Sequence, residues 1–274
     1  MMTKPIPSTG EPIPVIGLGT YKAFDILPNH SKEQLRQVLN LFFQAGGTLI
    51  DTSPMYGRSE IIIGQLLKKI NLNIETFIAT KVWTNGKQNG IREMEGSLRK
   101  MNCSSIGLMQ VHNLVDVDTH LTTLKEWREK KKIKYIGITH YTDDAFGELA
   151  KYLKKYPEID FCQFPYSIAR REAEDYFLEL CDDLEIATLI NRPFEQNDLF
   201  VCVQNYPLPE WAIEFRYLSW AQFFLKYILG HKAVTCVIPA TSKPNHMADN
   251  LVAGTGRLPN INELKRMANY FQAL

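Results

Sequence analysis

Gly46-Gly47-Thr48-Leu49-Ile50-Asp51-Thr52-Ser53-Pro54-Met55-Tyr56-Gly57 is the stretch from which the rest of the chain can be read. Thr48–Asp51 is a short apolar run ending on an acid, set between a glycine pair and a Thr-Ser-Pro turn, and it reads as a buried strand. Upstream, Leu35, Val38, Leu39, Phe42 and Phe43 recur at helical spacing, with Ser31 as the expected cap and Gln34 completing a capping box. Downstream, Ile61, Ile62 and Leu66 mark a second helix. The unit is strand, loop, helix, with an acid at the strand end and a tyrosine on the loop after it.

The unit repeats along the chain. Val15–Gly19 reads as a first strand, Thr48–Asp51 as the second and Phe77–Lys81 as the third, whose helix is marked by Ile91, Met94, Leu98 and Met101. Ile106–His112, Lys134–Thr139, Asp160–Phe164, Ile186–Ile190 and Val234–Pro239 follow, with helical spacing between them. After the seventh strand a longer loop leads to one helix expected around Trp211–Leu229, and helical patterns at 245–253 and 262–273 close the chain. Alternating strands and helices imply a parallel sheet, and eight repeats are the number that closes a barrel. The expected class is therefore α/β, a (β/α)8 TIM barrel formed as a single domain by residues 1–274. Residues 1–13, turning at Ser8-Thr9-Gly10-Glu11, are expected to form a hairpin at its bottom. An open doubly wound sheet is the alternative. Its dinucleotide fingerprint is incomplete: Gly17-Leu18-Gly19 lacks the third glycine and the capped helix that would follow. Those glycines read instead as a tight strand exit near a ligand.

Composition narrows the function classes. The 274 residues are 45% hydrophobic and 22% charged, ordinary for a globular protein. A formal net charge of +1 gives no support for a nucleic-acid or membrane-surface protein. The one tight basic run, Lys130-Lys131-Lys132, falls where cations favour a helix C-terminus. Five cysteines without a C-x-x-C pair argue against a disulfide framework and a metal site, and fit a reducing compartment. With no apolar leader and no membrane-length run, the expectation is a cytoplasmic monomer that binds neither nucleic acid nor membrane.

In a barrel of this kind active groups stand at the C-terminal strand ends. Asp51, Lys81 and His112 end adjacent strands, and Tyr56 lies on the loop after Asp51. A phenol with an ordinary pKa near 10 is a poor proton donor at neutral pH. A neighbouring lysine favours its phenolate form and is expected to lower that pKa. The carboxylate holds the lysine charged, and the histidine can hydrogen-bond a carbonyl oxygen. Together they make a proton-transfer device aimed at one oxygen.

These residues resemble the aldo-keto reductases, NAD(P)H-dependent (β/α)8-barrel oxidoreductases, over roughly Pro14 to Asn250. Asp51-Thr52-Ser53-x-x-Tyr56-Gly57 is similar to the family's acid-and-tyrosine segment. Thr80-Lys81-Val82-Trp83 resembles its lysine strand, and Gln110-Val111-His112-Asn113 its histidine strand. The resemblance implies reduction of an aldehyde or ketone, with Tyr56 as general acid, Lys81 and Asp51 tuning it and His112 orienting the carbonyl. It implies NADPH as cofactor, with NADH possible, because no side chain delivers a hydride. By the same resemblance Gly19, Thr20, Thr139, His140, Gln163, Asn191, Arg192, Pro193 and Phe194 would meet the cofactor's nicotinamide side. Thr241, Ser242, Lys243, His246, Asp249 and Asn250 would meet its adenosine-phosphate side. Tyr21, Trp83 and Asn113 would line the substrate pocket. The chain departs from the family pattern at His140, at Asn191 where an aromatic usually stacks on the nicotinamide, and at Ala240 and His246, which are commonly cationic. The departures at His140 and Asn191 keep open an alternative, a cofactor-binding redox-sensing or regulatory subunit with little turnover. A third reading takes Lys81 as a Schiff-base former in an aldolase-like barrel, which leaves Tyr56 and His112 without a task.

Overall fold

A computed structural model describes residues 1–27, 30–70, 76–215 and 217–274. The hairpin comes first, β1 (Thr3–Pro5) antiparallel to β2 (Pro12–Pro14), turned by Gly10 at a left-handed φ of 74°. The alternation then runs β3 (Leu18–Gly19), α1 (Glu33–Gln44), β4 (Leu49–Asp51), α2 (Ser59–Lys69), β5 (Phe77–Val82), α3 (Lys87–Met101), β6 (Ile106–His112) and α4 (Val117–Glu129). It continues through β7 (Ile133–Thr139), α5 (Phe146–Lys155), β8 (Phe161–Pro165), α6 (Phe177–Asp183), β9 (Ala187–Asn191), α7 (Asp198–Val203), α8 (Trp220–Gly230), β10 (Cys236–Val237), α9 (Pro244–Ala253) and α10 (Ile261–Gln272).

Strands β3 to β10 form one parallel sheet in chain order. Parallel bridges Ile16–Val237 and Gly19–Ala240 join its two edges and close the barrel. The seam is backbone on backbone: the N–H groups of Gly17 and Gly19 donate to Val237 O at 2.8 Å and Pro239 O at 3.0 Å. A Cβ on Gly19 would stand 2.6 Å from Ile238 O. Gly19 is thus required by the closure itself, a need separate from the ligand proximity expected of it.

Strand periodicity sorts the core into two layers. Outward-facing residues such as Ile50, Ile78, Met109, Val111, Ile136, Ile138 and Phe164 pack under the helices. Inward-facing Leu49, Ala79, Leu108, Tyr135, Phe161, Leu189 and Cys236 fill the barrel, with Ile6 and Ile13 of the hairpin among them. One step of two residues toward the C-terminus turns that apolar filling polar on β4, β5, β6, β8 and β9, which is where the site lies.

Two sequence expectations are corrected. Helix α1 begins at Glu33 with no capping box. Ser31 lies too early to cap it, and its hydroxyl accepts the Glu33 N–H at 3.2 Å. The single helix expected around Trp211–Leu229 is instead a 3-10 segment, Glu210–Phe215, followed by α8, with Arg216 outside the described residues. Ser219 causes the restart: it is extended and its hydroxyl accepts the Gln222 N–H at 3.1 Å, as an N-cap does. The loop before it also contains α7. Among the described residues no helix is long and apolar enough to cross a membrane.

Candidate active site

The C-terminal mouth of the barrel collects charged side chains because the period of two brings them inward: Asp51 follows Leu49, Lys81 follows Ala79, Gln110 and His112 follow Leu108, and Gln163 follows Phe161. Asp51 and Lys81 are both buried. The Lys81 ammonium lies 2.8 Å from Asp51 Oδ2 and 3.0 Å from Oδ1, and donates also to Thr52 O at 2.7 Å. A buried ammonium needs such saturation, since an unpaired charge in this setting would cost several kcal/mol, on the order of 3–5. Burial alone favours the neutral amine, but Asp51 and then Tyr56 outweigh it, and the Lys81 pKa stays above its ordinary value. Lys81 is held charged.

Tyr56 stands over this pair, with Lys81 Nζ 4.8 Å from its ring centroid. Its position is set by a turn in which Gly57 takes a φ of 58° and the Arg58 N–H donates to Asp25 at 2.9 Å. Burial raises the phenol pKa, Lys81 opposes that shift and Asp51 adds to it. Lys81 acts in the lowering direction expected of it, but the net direction is upward, because desolvation outweighs the cation, and the hydroxyl keeps its proton at neutral pH. His112 faces Tyr56 with ring centroids 6.2 Å apart and rings nearly perpendicular. Burial first, then Lys81 and His140, push its pKa down to about 3, so the imidazole is neutral. Its buried Nδ1 has no hydrogen-bond partner among the described residues.

The expected pocket walls gather here. Tyr21 packs edge-on to Tyr56 at 5.0 Å and Trp83 lies 5.9 Å from His112, both partly exposed. Asn113 follows in a left-handed conformation, its N–H donating to Thr139 O at 2.8 Å and its buried Oδ1 unpartnered. Thr20 spends its hydroxyl on Asp51 O at 2.9 Å, pinning the strand end that carries the acid.

A second group lies at the ends of β7, β8 and β9. Thr139 donates to Gln163 Oε1 at 3.1 Å, and the Gln163 amide reaches Asp51 Oδ1 at 2.8 Å. The His140 N–H donates to Gln163 O at 3.0 Å and the Asn191 amide to His140 O at 3.1 Å, leaving Asn191 Oδ1 buried and unpartnered. His140 stacks flat on Tyr141. Burial lowers its pKa, with the Thr142 backbone contact opposing. Arg192, left-handed at φ 52°, reaches Tyr141 O at 3.4 Å, and its guanidinium lies 3.8 Å from Glu195. Pro193 is buried. Phe194 packs on Phe200 at 4.9 Å, which packs on Phe224, so that side of the ring belongs to the helical layer.

The third group opens α9. Pro244 occupies its first turn, and no side chain caps its N-terminal amides. Thr241 is buried and accepts the Lys243 N–H at 3.1 Å, Ser242 is half-buried, and Lys243 and His246 are exposed. Asp249 accepts hydrogen bonds from Ser219 at 2.7 Å and Gln222 at 2.6 Å, which ties α9 to the start of α8, and Asn250 is buried beside it.

Gln110 was missed by reading strand ends alone. It lies two residues before His112, on the same inward face, and donates to Asp51 Oδ1 at 3.2 Å. A polar residue on the inward face of a buried strand is the signal that marks it. Asp25 was missed too, and no spacing in the sequence points to it.

Residues 15–199 match the Aldo/keto reductase family. The chain is 29% identical over 204 residues to the aldo-keto reductase YhdN of Bacillus subtilis, covering 68% of this chain and 60% of that protein. It is 30% identical over 224 residues to the NADH-specific methylglyoxal reductase of Escherichia coli, covering 70% of this chain and 67% of that one. In fold it resembles an aldo-keto reductase from Klebsiella pneumoniae solved in complex with NADPH, with a TM-score of 0.80 over 99% of this chain and 96% of that chain, at 21% identity.

Proposed function

The chain belongs to the aldo/keto reductase family, and from that premise we propose that it reduces a small aldehyde or ketone to an alcohol with NADPH, Tyr56 giving the proton. The observation that carries this reading is the convergence of Asp51, Lys81, Tyr56 and His112 at one barrel mouth, with Lys81 paired to Asp51 at 2.8 Å and facing the Tyr56 ring. A nicotinamide cofactor would supply the hydride.

The chain's own groups do the rest. Neutral His112 keeps an N–H for the carbonyl oxygen, which an ordered imidazole can polarise without competing for the proton. Tyr56 enters protonated, and as negative charge grows on that oxygen its proton moves across. Lys81, held charged by Asp51, then stabilises the phenolate left behind. Tyr21 and Trp83 exclude water from one side of the oxygen and give the pocket an aromatic wall.

The residues fit the cofactor at both ends. The unpartnered polar atom Asn191 Oδ1 suits a carboxamide, as does the free lone pair of Gln163 Oε1. The uncapped amides at the start of α9 suit a phosphate, with Lys243 as the cation beside a 2′-phosphate. The NADPH-bound Klebsiella protein supports this choice, while the NADH-specific relative supports NADH as an alternative donor. Residues 1–274 are proposed to act as one barrel domain and as a monomer, and the five unpaired cysteines favour a reducing, cytoplasmic setting.

Loss of reduced-cofactor absorbance with a panel of aldehydes tests the activity. Tyr56→Phe should lower kcat by about 10²–10⁴-fold, the range for removing a general acid. Activity indifferent to that change would remove Tyr56 from its role. One observation favours a second reading, a regulatory subunit: Asn191, engaged with His140 O, offers no aromatic face. Tight cofactor binding with negligible turnover across the panel would support it.

A further inference from the structure

The Asp51 carboxylate is more heavily engaged than an ion pair requires. Its Oδ1 faces three donors: Gln163 Nε2 at 2.8 Å, Lys81 Nζ at 3.0 Å and Gln110 Nε2 at 3.2 Å. Its Oδ2 has Lys81 at 2.8 Å. We propose that Gln110 and Gln163 are positioning residues that compete with Lys81 for Oδ1, so that the ammonium holds this oxygen by the longest of its three contacts and its charge stays available to the Tyr56 hydroxyl. The inference rests on the reductase reading above.

The argument is one of donor supply. An ammonium has three N–H groups. The two shortest contacts of Lys81, to Thr52 O at 2.7 Å and Asp51 Oδ2 at 2.8 Å, use two of them. Its third contact, to Oδ1, is the longest at 3.0 Å. Without the amides the ammonium would close on that oxygen and draw away from Tyr56. Two neutral amides oppose this without adding charge to a buried site. An apolar residue at either position would also leave Oδ1 desolvated, the costly case for a buried acceptor.

The amides are built to point this way. Gln110 lies opposite Lys81 in the β5–β6 register. Next to it across the β6–β7 pairing is Gly137, where a Cβ would stand 3.0 Å from both Gln110 Cγ and Phe161 O, so the glycine leaves space for the glutamine and for the neighbouring strand. The Thr139 hydroxyl donates to Gln163 Oε1, which turns the Gln163 NH2 group toward Asp51, and that NH2 also reaches Gln110 Oε1 at 3.3 Å. Each amide thus orients the other. Gln163 can still accept from a nicotinamide carboxamide through its second lone pair while it donates to Asp51.

The charged and titratable groups facing Tyr56 are Asp51 on β4, Lys81 on β5, Tyr21 after β3 and His112 on β6, with His140 acting on His112 from the end of β7. Of these, the Lys81 contact and the Asp51 carboxylate change when an amide is removed, and both changes raise the phenol pKa. The test is a direct titration of the Tyr56 phenolate in the full chain, by ultraviolet difference between protein with and without Tyr56→Phe. Gln110→Met, matched in length, should raise the midpoint by about 0.5–1 pH unit, the effect of weakening one neighbouring cation. Gln163→Met should raise it at least as much, its contact being shorter. Gly137→Ala, which presses on Gln110 and alters neither amide, should move it the same way and serves if a glutamine variant does not fold. The basic limb of the kcat profile should rise with it. An unmoved or lowered midpoint in folded variants, checked by melting, would overturn the inference. Because the titration needs no turnover, its outcome is separate from whether Tyr56→Phe abolishes carbonyl reduction.

Discussion

A neutral histidine beside a buried ammonium has a thermodynamic cost that can be measured. His112 titrates near 6.5 when unfolded and at about 3 in the folded protein. Between those values the unfolded chain binds a proton that the folded chain does not, so stability falls as pH drops from about 6.5 toward 3 and levels off below. Urea unfolding across that window should lose part of its pH slope in His112→Gln, while stability near neutrality changes little through this group. An unchanged slope would mean that His112 is accessible enough to protonate in place. At this scale the site was largely legible: Asp51, Lys81 and His112 each end an apolar run, and burying a charge there demands partners. The direction of the Tyr56 shift was not, because it depends on how deeply the phenol is covered, and burial outweighs the cation.

Between residue and fold stands the turn that carries Tyr56. Gly57 takes a φ of 58°, and a Cβ there would stand 2.4 Å from the Asp25 carboxylate, which accepts the Arg58 N–H. Gly57→Ala should therefore lower stability by about 1–3 kcal/mol, through left-handed strain and the clash together, and kcat should fall as the phenol is displaced. Thermal melting and turnover read the two effects separately. A variant with unchanged melting temperature and kcat would show that Asp25 gives way freely. Elements with strong periodicity were legible: β6 to the residue, and α3 through Ile91, Met94, Leu98 and Met101, which all fall on it. The start of α1 was not, because Ser31 offered a plausible cap but lies one residue before the cap position, which Lys32 takes. The break before α8 was hidden because the Trp211–Leu229 stretch is apolar at most positions, and the extended backbone of Ser219 shows where the helix restarts.

For the whole molecule the decisive contact is the seam between β3 and β10, made by short strands and two bridges. Gly19→Ala would force a Cβ to within 2.6 Å of a carbonyl oxygen that belongs to the opposite edge. Overpacking of this kind costs about 1–3 kcal/mol, and the loss should appear as a lower denaturant midpoint together with weaker cofactor binding, since Thr20 and Thr241 flank the same seam. Unchanged stability would mean the barrel edges can part. The eightfold alternation and the identity of the acid, lysine, phenol and imidazole are written in the sequence, because periodicity and the cost of buried charge are local properties. The inward and outward faces of the strands, the convergence of Gln110 and Gln163 on one oxygen of Asp51, the clamp of Asp25 on the Tyr56 turn and the service of Gly19 to the closure come from the fold alone. Those contacts join residues 33 to 221 positions apart, and no local pattern in a chain records which distant neighbours a closed barrel will bring together.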